Sequence, residues 1–93
     1  MQDFVLNGNR FIDKDSSYEY IREVFDFPEY QGKNLDALWD SLSDLGEARI
    51  FILNAREIVK NLEDYGLNFL DLFGDLDKEE GYVVAIKWWS YRS

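Results

Sequence analysis

The sequence predicts an α/β fold: a small three-stranded parallel sheet packed with about four helices, with residues 1–93 as one domain. Two apolar runs, Arg49-Ile50-Phe51-Ile52-Leu53 and Tyr82-Val83-Val84-Ala85-Ile86, have the length and β-branched content of central strands buried on both faces. Helix-period segments separate the strand-like runs, and strands that alternate with helices pair in parallel through right-handed crossovers. The chain's 93 residues suffice for one modest core, and an aromatic fraction of 17% raises the area each side chain buries.

Phe4-Val5-Leu6, closed by Asn7-Gly8, reads as the first strand and its turn. Ser16 and Glu19 fit a capping box, which predicts a helix from Ser17 to Phe25. Pro28, the only proline, then biases Phe27 away from helix. Asn34 is the expected N-cap of a second helix through Leu45, with Gly46 as its stop. After the strand at 49–53, Asn54 and Glu57 open a third helix to about Tyr65, which Gly66 ends. Asn68 to Glu80 carries a fourth helical pattern, weakened by Gly74, and Gly81 is the natural residue just past it. Tyr82 to Ile86 is the third strand, running into Lys87-Trp88-Trp89. Tyr18, Phe25, Phe51, Phe69 and Phe73 are expected in the core, with one of Trp88 and Trp89 buried and the other half-exposed.

Composition narrows the function classes. Nineteen acidic against ten basic residues give a formal net charge of −9. Phosphate backbones attract Lys and Arg and repel carboxylates, so direct nucleic-acid binding is disfavoured and a basic protein partner is favoured. With no cysteine and no histidine, a disulfide scaffold, a Cys/His zinc site and nucleophile–histidine catalysis are all excluded. No GxGxxG or Walker sequence occurs, and no cofactor is expected. No apolar run could span a bilayer and no secretory leader pattern opens the chain, so a cytoplasmic location is expected.

The stretch 28–45, PEYQGKNLDALWDSLSDL, carries the candidate site. Leu35, Leu38, Leu42 and Leu45 form one buried stripe at helical spacing. Asp36, Trp39, Asp40 and Ser43 share an adjacent arc of about 100°, which sets a large aromatic between two carboxylates. Asp36 is also suited to the first turn of a helix on capping and dipole grounds, whereas Asp40 gains nothing there, and Asp44 and Glu47 extend the acidity past the helix end. Asp36 and Asp40 lie one turn apart, about 5–6 Å between Cβ atoms, so acid/base work and a magnesium site are both open readings. Trp39 is either peripheral core or an interface anchor; a charge beside a flat aromatic suits a cationic, concave target. The second acidic group, Asp71, Asp75, Asp77, Glu79 and Glu80, reads as a solvated helix face.

Pro28-Glu29-Tyr30, Gly32 and Asn34-Leu35-Asp36-Ala37-Leu38-Trp39-Asp40 resemble the signature of the barstar family of intracellular ribonuclease inhibitors. The resemblance implies a three-stranded parallel sheet with helices, no catalytic activity, and a loop and helix that plug a ribonuclease active site. It implies that Asp40 stands in for a substrate phosphate, that Asp36 pairs with a further basic group, and that Tyr30 and Trp39 pack at the edges. It also places the Gly32 region where backbones approach closely. Gln31 and Lys33 stand where the family has an aromatic and an acidic residue, and Asp44 and Leu45 where it has a glycine and a tryptophan. Asp75 matches a distant acidic contact across a one-residue gap. The expected partner surface is therefore Tyr30, Gln31, Gly32, Asn34, Asp36, Trp39, Asp40, Ser43, Asp44, Leu45 and Asp75.

Three functions follow as expectations. The first is a cytoplasmic inhibitor or immunity protein forming a 1:1 complex with a small basic extracellular-type ribonuclease or related toxin, with no membrane or nucleic-acid partner. The second is a module of the same fold that engages a different basic protein or toxin, motivated by the altered rim. The third is a small acid/base or magnesium-dependent enzyme using Asp36 and Asp40.

Overall fold

The computed structural model describes residues 1–28 and 32–89. Its elements are β1 (Asp3–Asn7), a 3₁₀ turn (Gly8–Arg10), α1 (Lys14–Phe25), α2 (Leu35–Asp44), β2 (Ala48–Leu53), α3 (Ala55–Leu62), α4 (Asp64–Leu76) and β3 (Tyr82–Ile86). The three strands pair in parallel in the order β1-β2-β3, with Phe4 beside Ile50 and Ile50 beside Val84. This is the α/β, three-stranded parallel architecture with four helices that the sequence predicts.

The sheet is buried on one face only. Phe4, Leu6, Ala48, Ile50, Ile52 and Tyr82 point into the core. Their neighbours Val5, Arg49 and Val83 are exposed, and Phe51, Leu53 and Ala85 half-buried. The expectation of central strands buried on both faces therefore fails, and Phe51 is not core. Sequential strand order explains it: crossovers of one hand that always step in the same direction deliver their helices to one face. β3 is an edge strand, and the Asp77 carboxylate accepts the outward Val84 N–H at 2.8 Å.

The helix boundaries shift where turn chemistry overrides the pattern. α1 begins three residues earlier than expected because Asp13, not Ser16, is its N-cap. The Asp13 carboxylate accepts from Ser16 N–H at 2.8 Å, and the Ser16 hydroxyl accepts from Asp13 N–H at 3.1 Å. The Ser16 N–H, first in effect, and the Ser16 hydroxyl beside it hold the Asp13 carboxyl below its ordinary range. Asn54, in the left-handed region at φ 56°, makes no cap bond; its amide donates to the Asn7 side chain at 2.9 Å. Glu63, at φ 55°, ends α3, and α4 runs straight through Gly66. Gly66 is a contact glycine rather than a stop: a Cβ there would stand 2.5 Å from the Ile58 carbonyl oxygen. Trp88 and Trp89 are both exposed, at 45% and 65%, and neither joins the core.

The core is strongly aromatic. Phe4 meets Phe25 at 4.3 Å between ring centroids, and Phe25 stacks on Phe27 at 5.3 Å. Phe69 gathers Phe11, Tyr18 and Tyr65 around it at 5.1–5.6 Å. Phe27 thus fixes the chain leaving α1, just before the loop that leads into α2.

Candidate functional site

α2 is built as the sequence predicts. Asn34 has extended backbone, and its side-chain oxygen accepts the Ala37 N–H at 2.8 Å. Leu38 and Leu42 are fully buried, while Leu35, Leu45 and Trp39 are half-buried against the same core. The helix ends at Asp44 rather than Leu45. Leu45 and Gly46 donate back to the Leu42 and Ser43 carbonyls at 3.2 Å, and Gly46 turns the chain at φ 82°. The Tyr82 hydroxyl donates to the Leu42 and Ser43 carbonyls, the latter at 3.1 Å.

Two flanks of this helix face outward. Asp36, Trp39 and Ser43 lie along one, with Asp36 and Ser43 exposed and Trp39 leaning on the core. Along the other runs a groove of about 450 Å³, lined by Phe27, Pro28, Gly32, Ala37, Asp40, Ser41, Asp44 and Leu45. Asp40 belongs to both: it follows Trp39 on the first flank and hangs over the groove on the second. Its neighbour one turn on, Asp44, repeats the charge on the same wall. Gly32 lies close under the cap, where a Cβ would stand 3.1 Å from the Asn34 amide nitrogen.

The groove brings Gly32, Asp40, Asp44 and Leu45 together and leaves Asp36, Trp39 and Ser43 on the neighbouring arc. Asp75 is exposed near the end of α4, a helix that packs against α2. Tyr30 and Gln31 fall outside the described residues. The sequence reading missed the groove's apolar floor, Phe27, Pro28 and Ala37, together with Ser41. The spacing of Ala37, Ser41, Asp44 and Leu45 carries the signal: it is a second helical stripe beside the leucines. Lys33, which the sequence marks only as a departure from the family pattern, sends its ammonium to Glu19 of α1 at 3.2 Å and so ties the loop to α1. That bond and the Arg22 guanidinium beside it, with Arg22 first in effect, hold the Glu19 carboxyl below its ordinary range.

Chemically, the surface is a row of exposed carboxylates on a core-anchored helix beside an apolar groove. α2 contains three aspartates and no basic residue, so its outward field is uniformly negative. Carboxylates so held suit bidentate guanidinium groups. Among the described residues no group of three or more acidic side chains could hold a metal ion. No helix among them is long and apolar enough to cross a membrane.

The model of the family described as Barstar (barnase inhibitor) matches residues 1–87. The chain belongs to the barstar family. It is also similar to a Bacillus subtilis (strain 168) protein named "Putative ribonuclease inhibitor YrdF". The two are 29% identical over 75 residues, which cover 81% of this chain and 76% of the relative. The family match takes in the whole sheet and every helix, so α2 and its groove lie inside the matched region.

Proposed function

We propose that this protein is a non-enzymatic intracellular inhibitor of a small basic ribonuclease, binding it 1:1 and covering the active site with α2 and the loop before it. The observation that carries the reading is Asp40: exposed, mid-helix, shared by the Asp36–Trp39 arc and the groove, on a helix anchored by Leu38 and Leu42. An enzyme that cuts RNA must attract phosphate, and a fixed carboxylate offers its arginines and lysines a compact anion in the same place. Asp36 supplies a second charge one turn away, Trp39 and Tyr30 the flanking aromatic surface, and Asn34 the cap that starts the helix. The family membership and the name of the Bacillus subtilis relative support a ribonuclease as the target.

Asp44 and Leu45 line the groove where the family resemblance leads one to expect a glycine and a tryptophan. Rim positions of this kind discriminate between related partners, so a cognate enzyme of its own, or a different basic toxin, is the second reading that this observation favours. The test is an inhibition titration of a small basic, secreted-type ribonuclease with wild type and Asp40→Ala. Loss of a hot-spot side chain costs about 2 kcal/mol or more, a range in which the barstar family is itself a reference case, so affinity should fall at least about 30-fold. The far-ultraviolet spectrum and thermal midpoint should hold. Equal inhibition by the two proteins would dismiss the plug.

A further inference from the structure

We propose that Tyr82 is a positioning residue for partner binding: its hydroxyl, held by the sheet, sets the last turn of α2 and with it the rim made by Ser43, Asp44 and Leu45. The proposal rests on the inhibitor reading above and concerns the geometry of that same surface.

The last turn of a helix leaves carbonyl groups without partners inside the helix. In α2 the deficit is sharpened, because the last turn holds no basic residue and ends in Asp44, whose charge opposes the helix dipole. Leu45 and Gly46 answer part of it through their own amides. Tyr82 reinforces the same two carbonyls from a different element, donating to those of Leu42 and Ser43 together.

The donor is firmly placed. Tyr82 opens β3 opposite Ala48 of β2, and its side chain is buried at 8% exposure on the core face of the sheet. Just before it, Gly81 has φ 93° and accepts the Ala48 N–H at 3.0 Å. A Cβ on Gly81 would stand 2.7 Å from the Gly46 carbonyl oxygen, so the chain leaving α2 and the chain entering β3 touch. The tyrosine ring therefore bridges sheet and helix end at a junction with little slack.

Leu38 and Leu42 bury α2, but burial is non-directional and sets the fine angle of the helix end less sharply than a hydrogen bond does. Hydrogen bonds carry angular preference. Binding constellations demand placement within about 0.5 Å and 10–20°. The Tyr82 bonds supply that constraint at the end of α2 that bears Ser43, Asp44 and Leu45, opposite the Asn34 cap that fixes Asp36.

The test is Tyr82→Phe, which keeps the ring and removes the hydroxyl, assayed against the same basic ribonuclease at a temperature where circular dichroism shows every variant fully folded. Affinity should fall about 5–10-fold, the scale of losing a bond to buried carbonyls. A purely structural role would leave the affinity of the folded protein unmoved. The loss should shrink when combined with Asp44→Ala at the same helix end and persist in full when combined with Asp36→Ala at the other. Amide exchange on the wild type gives a second readout: Leu45 and Gly46 should be as protected as the helix centre. Wild-type affinity in Tyr82→Phe, with Asp40→Ala still impaired, would overturn the positioning role and leave the inhibitor reading standing. Rapid exchange at Leu45 and Gly46 would overturn it as well. Wild-type affinity in both variants would remove the inhibitor reading and the positioning role with it.

Discussion

Replacing Leu42 with alanine tests whether α2 is held by its leucine stripe. Leu42 is fully buried on α2, and Leu38 is the only other residue of that helix buried to the same degree. Leucine to alanine removes three carbon groups, worth about 2.4 kcal/mol at about 0.8 kcal/mol each. The surrounding core is made of large rings and aliphatics from several elements and relaxes only in part, so the cavity left behind brings the cost to about 3–4 kcal/mol. A domain of this size has about 5–14 kcal/mol in hand, so the variant should fold with a much reduced margin. Urea unfolding followed by circular dichroism should show a lowered midpoint at unchanged slope, and the thermal midpoint should drop by about 12 °C or more. Ser43→Ala, on the exposed flank of the same helix, should stay within about 0.5 kcal/mol of wild type. A loss of under about 1 kcal/mol for Leu42→Ala, small against the range for buried leucines, would show that something other than the stripe anchors α2.

Asn34→Ala removes the acceptor for the Ala37 N–H and should cost about 1 kcal/mol in urea unfolding, while Asn34→Gly, which leaves the backbone free to cap, should cost less; equal stability of wild type and Asn34→Ala would refute the cap. Acid lability is the other expectation. Asp13 and Glu19 titrate below their ordinary values of 3.8 and 4.5 when folded, so the unfolded chain takes up protons first and stability falls as pH drops below those values. Asp13→Asn keeps an acceptor that does not titrate, and should flatten this acid limb in urea midpoints measured across it; an unchanged limb would count against the cap as its source.

The placement of the candidate site's central residues is legible because one periodicity serves two purposes. The leucine spacing placed α2, and the residues between the leucines had to face outward, so Asp36 and Asp40 could be located from the pattern alone. The groove was harder to see. Its floor combines Ala37 and Ser41, small and unremarkable in sequence, with Phe27 and Pro28 from the end of the preceding segment, where the Phe25–Phe27 stack and the Phe27 N–H on the Arg22 carbonyl hold the chain. The open sheet face was misread for a related reason. Phe51 and Val83 have the residue types of buried strands, but which face a helix covers depends on the direction of the crossovers, a property of topology rather than of any local run. Glycine 66 failed as a stop signal because its role is set by the distance to Ile58, eight positions earlier and in another helix. The capping box predicted from Ser16 and Glu19 lies one turn too late, because Asp13 takes the N-cap and Ser16 its partner position.

The Asp77 carboxylate on the outward amide of Val84 has a consequence for how this surface changes over generations. Docking by strand addition would require an incoming backbone to displace a carboxylate from that amide. That amide of β3 is thereby guarded, and the α2 surface proposed above for the partner makes no ladder bonds. On the inhibitor reading proposed above, substitution at the exposed Asp44 would redirect the surface toward a new enzyme while the sheet keeps its ladder bonds. Leu45 also packs against the core and Asp44 is exposed, so of the two the aspartate can change at the smaller cost to the fold.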